Sequence, residues 1–237
     1  ENRVIQIQKE IGKLQPIFTE EQKEDFRVWL YKDTQVHRSN ELYREKLLNC
    51  LTNKAVFKIT NGHYCENEKR FTFDLNGETK NLFFQDLVGI EVFKKYFKDV
   101  NYSTECGDFK FQFYIFDFKA KDTKYILDDE EGKIVKEHRI YLYRDQVRVL
   151  PYGDPDDDWL RIDMIRGTKS AGMFLSNDQV VGCIDISQKN NPLLKDKTNR
   201  EGLIDEGRAL EDFINLLQVF LRYFRQIVYA QYLIDKK

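Results

Sequence analysis

The chain has 237 residues, of which 38 are basic and 40 acidic, and 41% are hydrophobic. This length suffices for one large or two small domains with a sizeable core. The balanced charge gives no general argument for binding to nucleic acid or a membrane. Four scattered cysteines without Cys-x-x-Cys spacing, and first residues that do not resemble a signal peptide, lead us to expect a reducing, cytoplasmic location.

The first fifty residues predict helices and a short strand. Residues 2–14 carry apolar side chains at helical spacing, and residues 26–31 predict a strand. Ser39 or Asn40 can cap a helix over residues 42–51. Because the chain begins at a glutamate and stops within a predicted helix, we expect a piece of a longer protein.

Strands are predicted for most of the next segment. Residues 55–60 and 70–75 flank Asn61-Gly62 and a polar connection, and the second strand ends at Asn76-Gly77, which predicts a hairpin. Residues 109–118 alternate most clearly, with phenylalanines at every second position on one face.

Two further strand pairs and a loop are predicted before the last helix. Residues 139–150 predict a pair that turns near Arg144-Asp145, and residues 172–187 predict a hairpin that turns at residues 176–178. The acidic segment 122–137 predicts a mobile loop.

Residues 203–233 predict one long amphipathic helix. Its polar positions exclude a membrane span, and its end beyond Ile227 is expected to project toward a following domain or a partner chain. The stripe expected to pack on the sheet consists of Phe213, Leu217, Phe220 and Phe224.

The densest carboxylate cluster is Asp154, Asp156, Asp157 and Asp158. Its spacing does not match a calcium-binding loop, which needs glycine at position 6 and an acidic residue at position 12. We interpret it as a solvated turn braced by largely buried Tyr152 and Trp159. A magnesium site is the alternative.

Two other motifs are incomplete. Residues 167–170 resemble a phosphate-binding loop, but the motif needs a glycine directly before the lysine and another five residues earlier, and these positions hold Thr168 and Asp163. His63, Cys65 and Cys106 could ligate zinc, but a fourth ligand is missing from the pattern. We therefore predict no metal site in this chain.

A basic loop follows the last predicted strand. Lys195, Lys197 and Arg200 precede a predicted helix start, where Thr198 or Asn199 could act as the cap. Backbone amides at a helix N-terminus, together with cations, can hold phosphate oxygens. A capped helix start with exposed lysines is an equally good interpretation of these residues.

Five blocks, in order, resemble a known superfamily: residues 106–113, 140–154, 158–163, 174–186 and 196–203. The set is similar to the GHKL ATPases, which include the gyrase B subunit, the ninety-kilodalton heat-shock chaperone, histidine kinases and MutL. More closely, it resembles the segment after the ATPase domain in bacterial chaperone-like ATP-binding proteins, which are distantly similar to MORC ATPases.

The resemblance implies a transducer domain of mixed α/β class, with the fold of the second domain of ribosomal small-subunit protein five. We then expect a mixed sheet with helices on one face, an unusual left-handed crossover and a long C-terminal helix. Residues 1–15 would be the tail helix of a preceding ATPase domain. Residues 16–100 would form the N-terminal part of the transducer, and residues 101–237 its core.

The resemblance also implies a role for the basic loop. Lys197, or alternatively Arg200 or Lys195, would contact the γ-phosphate of ATP, with Thr198 and Asn199 on the same nucleotide-facing loop. ATP and magnesium would be held by the preceding ATPase domain of a homodimeric protein. This chain alone would bind neither and would have no ATPase activity.

Two alternatives remain open. One is a metal-dependent hydrolase that uses Asp154 to Asp158. The other is a nucleic-acid-binding module with a basic face, formed by Lys94, Lys95, Lys98, Arg144, Arg148, Arg166, Lys169 and Arg222.

Overall fold

The computed structural model describes residues 30–32, 35–37, 39–164, 175–197 and 201–236, with side chains described from residue 43 onward. This part of the chain is a mixed α/β structure. Its strands are β1 (Leu30–Lys32), β2 (Gln35–His37), β3 (Phe57–Cys65), β4 (Arg70–Leu75), β5 (Glu78–Phe83), β6 (Phe109–Ile115), β7 (Ile140–Arg144), β8 (Val147–Arg148) and β9 (Val180–Ile186).

The described helices lie between and after these strands. They are α1 (Ser39–Asn49), α2 (Phe84–Leu87), α3 (Glu91–Phe97), α4 (Asp129–Lys136), α5 (Ala209–Tyr223) and α6 (Ala230–Asp235). A π-helical turn, Cys50–Lys54, extends α1, and a second, Phe224–Tyr229, joins α5 to α6. The prediction of a helix beginning near Ser39 is confirmed, whereas the helix predicted at 2–14 lies outside the described residues.

A seven-stranded mixed sheet organises the described residues. The strand order is β5-β4-β3-β6-β9-β7-β8, and β1 and β2 pair separately. Within the large sheet β7 and β9 are parallel, and the other neighbouring strands are antiparallel. Strands from both sides of residue 100 therefore share one sheet.

Strand β6 has the predicted alternation. Phe109, Phe111, Phe113 and Ile115 are at most 2% exposed, and the residues between them are less buried. The buried side chains pack against α5, where Phe220 lies 4.9 Å from Phe111 between ring centroids. Aromatic packing between the sheet and this helix thus lies in the larger of the two core clusters.

Helices cover both faces of the sheet, which corrects the expectation of helices on one face. The opposite face carries Tyr141, Tyr143 and Cys183, which form a second cluster with residues of α1 and α4. Four consecutive residues of β7 are buried, because a strand covered on both sides buries both sets of its side chains.

The Asn61-Gly62 pair is not a turn. Strand β3 continues through it, and the pairing register shifts there with both neighbouring strands. Gly62 is needed because a Cβ at this position would lie 2.4 Å from the carbonyl oxygen of Phe111. The turn between β3 and β4 is instead at residues 66–69, where the Lys69 amide donates to the Glu66 carbonyl oxygen at 3.2 Å. Further turns lie at Asn76-Gly77, between β4 and β5, and at Asp145-Gln146, close to the turn predicted for the β7–β8 pair.

The segment predicted as a mobile loop at 122–137 contains α4. Asp128 caps this helix by accepting hydrogen bonds from the amides of Glu130 and Glu131, both at 2.8 Å. The Glu131 carboxylate accepts in return from the Asp128 amide at 2.9 Å. This capping box satisfies free amides at the helix start, so acidic composition alone was a misleading signal.

The long helix predicted over 203–233 begins only at Ala209 and includes a π-helical turn. Its end does not project: Tyr229 is 4% exposed, and the Tyr232 hydroxyl donates to the buried carboxylate of Asp117 at 3.1 Å. Lys236 also pairs with Asp117. The predicted packing of the helix on the sheet through Phe213, Leu217, Phe220 and Phe224 is confirmed, since all four are buried.

Candidate functional site

The basic loop is a narrow turn beside the end of the sheet formed by β7 and β8. The Lys197 amide donates to the carbonyl oxygen of Gly202 at 3.0 Å, and the Ile204 amide donates to that of Lys195 at 2.7 Å. These two bonds close the loop over residues 195–204, which we call the basic loop. Residues 198–200 at its tip lie outside the described part of the chain, and with them Thr198, Asn199 and Arg200.

This loop does not lead directly into a helix, which corrects the prediction. Helix α5 begins at Ala209, with Arg208 at the N-cap position, so neither Thr198 nor Asn199 caps it. Gly202 and Gly207 have φ of 97° and 71°. Such left-handed backbone is incompatible with a helix beginning at residue 203.

Two anchors hold the loop to the sheet. Arg144, at the end of β7, places its Nε 3.1 Å from a carboxylate oxygen of Asp196. Upstream of the loop, the side-chain amide of the buried Asn191 donates to the backbone carbonyl oxygens of Cys106 at 2.7 Å and Asp108 at 2.9 Å. The loop is therefore fixed to both β7 and the segment that enters β6.

The two described lysines of the loop are accessible to solvent. The side chains of Lys195 and Lys197 are exposed, and neither forms an ion pair with another described residue. An exposed ammonium on a fixed backbone is available to contact an anion, because it has no protein carboxylate to leave first.

Tyr152 lies at the base of the loop. Its hydroxyl accepts a hydrogen bond from the Leu203 amide at 3.1 Å. Burial raises the pKa of Tyr152 above its ordinary value; the hydrogen bond from Leu203 opposes this rise, and the nearby carboxylates of Asp157, Asp196 and Asp205 add to it. Sequence reasoning assigned Tyr152 to the aspartate-rich turn and missed its contact with a loop fifty residues later.

The aspartate-rich turn is connected to the same tyrosine. Arg148, 6% exposed, donates to an Asp154 carboxylate oxygen at 2.7 Å and to the Tyr152 carbonyl oxygen at 3.1 Å. Its guanidinium also lies 4.7 Å from the centre of the Tyr141 ring. Asp154 thus neutralises a buried arginine.

The Asp158 carboxylate is also engaged in hydrogen bonds within the chain. Asp158 accepts from the amides of Ile162 at 2.6 Å and Asp163 at 2.9 Å. Burial raises the pKa of Asp157 to about 6, assisted by the charges of Asp154 and Asp158 and opposed by an amide hydrogen bond from Gly153. Among the described residues, no group of three or more His, Cys, Asp or Glu side chains could hold a metal ion.

Trp159 braces the turn as predicted, although Trp159 and Tyr152 are only partly buried rather than largely buried. The indole Nε1 donates to the carbonyl oxygen of Ile140 at 2.9 Å. Its ring lies 4.8 Å from that of Tyr152 and stacks at 6.0 Å on Phe213 of α5. The indole therefore packs between the site and the long helix.

The remaining candidate residues do not assemble into a site. His63 Nε2 lies 3.9 Å from an Asp108 oxygen, while Cys106 is buried and its pKa is raised by that burial. Residues 167–170, and with them Lys169, lie outside the described part, as does Arg166.

The proposed basic face is interrupted. Arg148 and Arg222 are each 6% exposed, and Arg144 is paired with Asp196. Lys94, Lys95 and Lys98 are exposed around α3. The buried arginines cannot form part of a phosphate-binding surface, so the expected eight-residue face is wrong.

Comparisons with protein-family models, curated proteins and solved structures found no match to this chain. In the described part of the chain, no helix is both long enough and apolar enough to cross a membrane. Function is therefore inferred from the basic loop, its supports and the ordered sequence blocks.

Proposed function

We propose that this chain is the transducer module of a cytoplasmic, homodimeric GHKL-type ATP-binding protein, with the fold of the second domain of ribosomal small-subunit protein five. In this proposal a cation of the basic loop contacts the γ-phosphate of ATP held by an ATPase domain earlier in the same chain. The five ordered sequence blocks support it, and so does a mixed sheet followed by a long C-terminal helix.

The observation that carries the proposal is the basic loop itself. It presents the exposed Lys197 on a backbone closed by two hydrogen bonds and tied to β7 through Arg144 and Asp196. A cation on a fixed backbone loses less conformational freedom when it meets an anion than one on a mobile tail. That geometry suits a contact that must form and break at each ATP cycle.

The ATP and magnesium would be bound outside this chain. Its sequence contains no Asp-x-Gly-x-Gly motif, and no two of its glycines are separated by a single residue. The preceding ATPase domain would hold both ligands, and Lys197 would add positive charge where negative charge develops on the transferred phosphoryl group. Loss of the γ-phosphate would release the lysine and let the two domains move.

The competing hydrolase hypothesis receives little support from the aspartate-rich turn. Asp154 is paired with Arg148, and Asp158 accepts hydrogen bonds from backbone amides. A metal ion would have to compete with these contacts for the oxygens of Asp154 and Asp158. We therefore rank the transducer proposal first.

The test compares ATP turnover by this chain with turnover by the same chain extended to include the residues that its gene encodes before Glu1. We expect no turnover above background for the chain alone and magnesium-dependent turnover for the extended chain. The added sequence should contain an Asn-bearing helix and an Asp-x-Gly-x-Gly motif. Turnover by the chain alone that is lost in Asp158→Ala would contradict the proposal and favour the hydrolase.

A further inference from the structure

We propose that Tyr152 is a positioning residue for Lys197: its hydroxyl fixes the return strand of the basic loop and thereby sets where the lysine ammonium lies. This inference rests on the proposed function for its catalytic consequence. Its structural part depends only on contacts within this chain and can be tested separately.

The first step is the meeting of three groups at one point. The Tyr152 hydroxyl accepts the Leu203 amide hydrogen bond at 3.1 Å. A Cβ added to Gly202 would lie 3.4 Å from that hydroxyl oxygen and 3.8 Å from Lys197 Nζ. The hydroxyl and the ammonium therefore lie on the same side of Gly202. A shift of the loop would change the position of the ammonium relative to the hydroxyl.

The second step is that the conformation of Gly202 depends on the contacts around it, because glycine has no side chain to restrict its backbone. Its φ of 97° is in the left-handed region, which glycine enters easily and from which it can also leave easily. The neighbouring Leu203, 3% exposed, is held by the tyrosine. Without the hydroxyl, the glycine would have one constraint fewer, and the strand that returns from the loop tip would loosen.

The third step is that Tyr152 is itself fixed. Arg148 donates to its carbonyl oxygen at 3.1 Å, and the Trp159 ring packs against its ring at 4.8 Å. Trp159 in turn contacts β7 through Ile140 and α5 through Phe213. The tyrosine thus couples the position of the loop to the sheet and to α5, because close-packed side chains transmit displacement.

The structural test is amide hydrogen exchange in Tyr152→Phe, which removes one oxygen and keeps the ring. We expect exchange at Leu203 to accelerate about twofold to tenfold, the effect of losing one net hydrogen bond, while Val181 and Ile184 in β9 keep their rates. The matched control is Tyr96→Phe. It removes a hydroxyl that donates to Gln218 at 2.9 Å between α3 and α5, and it should leave Leu203 unchanged.

The functional test uses the extended protein with its ATPase domain. We expect Tyr152→Phe to lower kcat about threefold to tenfold with KM for ATP nearly unchanged. The loss should be much smaller in a Lys197→Ala background, because residues acting through one contact are not additive. Tyr96→Phe should keep the wild-type kcat.

The outcomes separate the two proposals. Unchanged exchange at Leu203 in Tyr152→Phe overturns the positioning role whatever the ATPase result. Faster exchange with a kcat loss in Lys197→Ala but not in Tyr152→Phe overturns it too. Faster exchange with no effect of either substitution on turnover overturns the assignment of the γ-phosphate contact to Lys197, and with it the catalytic part of this inference, while the loop contact itself stands. The proposed function then depends on the result for Arg200→Ala.

Discussion

Single residues with more than one role mark the candidate site. Trp159 donates a hydrogen bond to β7, stacks on α5 and contacts Tyr152 beneath the basic loop. Arg148 joins the aspartate-rich turn to the same tyrosine. Such residues connect segments far apart in sequence, so their replacement should affect both stability and the geometry of the loop.

We predict that Trp159→Ala lowers the free energy of unfolding by about 3 kcal/mol, because it deletes a large ring packed against the core and leaves the Ile140 carbonyl oxygen without its donor. Urea denaturation of the chain measures this. Trp159→Phe is the control: it keeps a ring against Phe213 but loses the N–H, and should cost about 1 kcal/mol. A change below about 1 kcal/mol for Trp159→Ala would mean that the indole does not brace the core.

The raised pKa of Asp157 predicts a pH dependence of stability. Its pKa is about 6 in the folded chain and about 4 when unfolded, so the folded state holds the proton more tightly. The stability associated with this proton is fully present below about pH 4 and is lost as the pH rises through 6. We therefore expect Asp157→Asn to be more stable than the wild type above pH 6, with the difference shrinking toward pH 4.

Urea denaturation at several pH values between 3.5 and 8 checks this expectation. Asp156→Asn, at an exposed position on the same turn, is the matched control and should keep the wild-type pH dependence. A constant difference between Asp157→Asn and wild type across the whole range would show that the Asp157 carboxylate is not responsible.

At the scale of secondary-structure elements, two glycines differ in how much space surrounds them. Gly62 in β3 faces the backbone of β6, and a Cβ there would lie 2.4 Å from the Phe111 oxygen. Gly132 in α4 has no neighbour within 4 Å of such a Cβ. We predict that Gly62→Ala destabilises the chain by about 1–3 kcal/mol through overpacking, whereas Gly132→Ala stabilises it by about 0.5–1 kcal/mol.

Thermal or urea denaturation measures the stability of the two variants, which carry the same Gly→Ala change at different positions. If Gly62→Ala were as stable as wild type, the close approach of β6 to Gly62 of β3 would be wrong. If Gly132→Ala destabilised the chain, α4 would not be a regular helix at that residue.

Elements with strong local patterns could be predicted from the sequence. The alternation in β6, the turn at Asp145-Gln146 and the amphipathic stripe of α5 depend on neighbouring residues and were confirmed. The segments that were predicted wrongly depend on sheet pairing between residues distant in sequence or on particular side-chain hydrogen bonds. The Asn61-Gly62 pair is a turn signal overridden by sheet pairing, and α4 is stabilised by its capping box despite a polar composition.

At the scale of the whole molecule, the sequence could indicate the basic loop but not its surroundings. The cations of the loop are adjacent in sequence, so Lys195 and Lys197 were visible as candidates. The contact of Tyr152 with Leu203 and the ion pair of Arg144 with Asp196 each join residues about fifty positions apart. Only the folded sheet brings such residues together, and no local pattern encodes them.

The central claim is that Lys197 acts on the γ-phosphate, and ATP turnover by the extended protein tests it most directly. Lys197→Ala should lower kcat about tenfold or more while ATP affinity changes less, because a charge contact made mainly in the closed state is worth about 1.5–3 kcal/mol in the transition state. Arg200→Ala is measured in parallel, and a loss there alone would move the role to Arg200. Wild-type turnover in both variants would contradict the account and leave the basic loop with a structural role only.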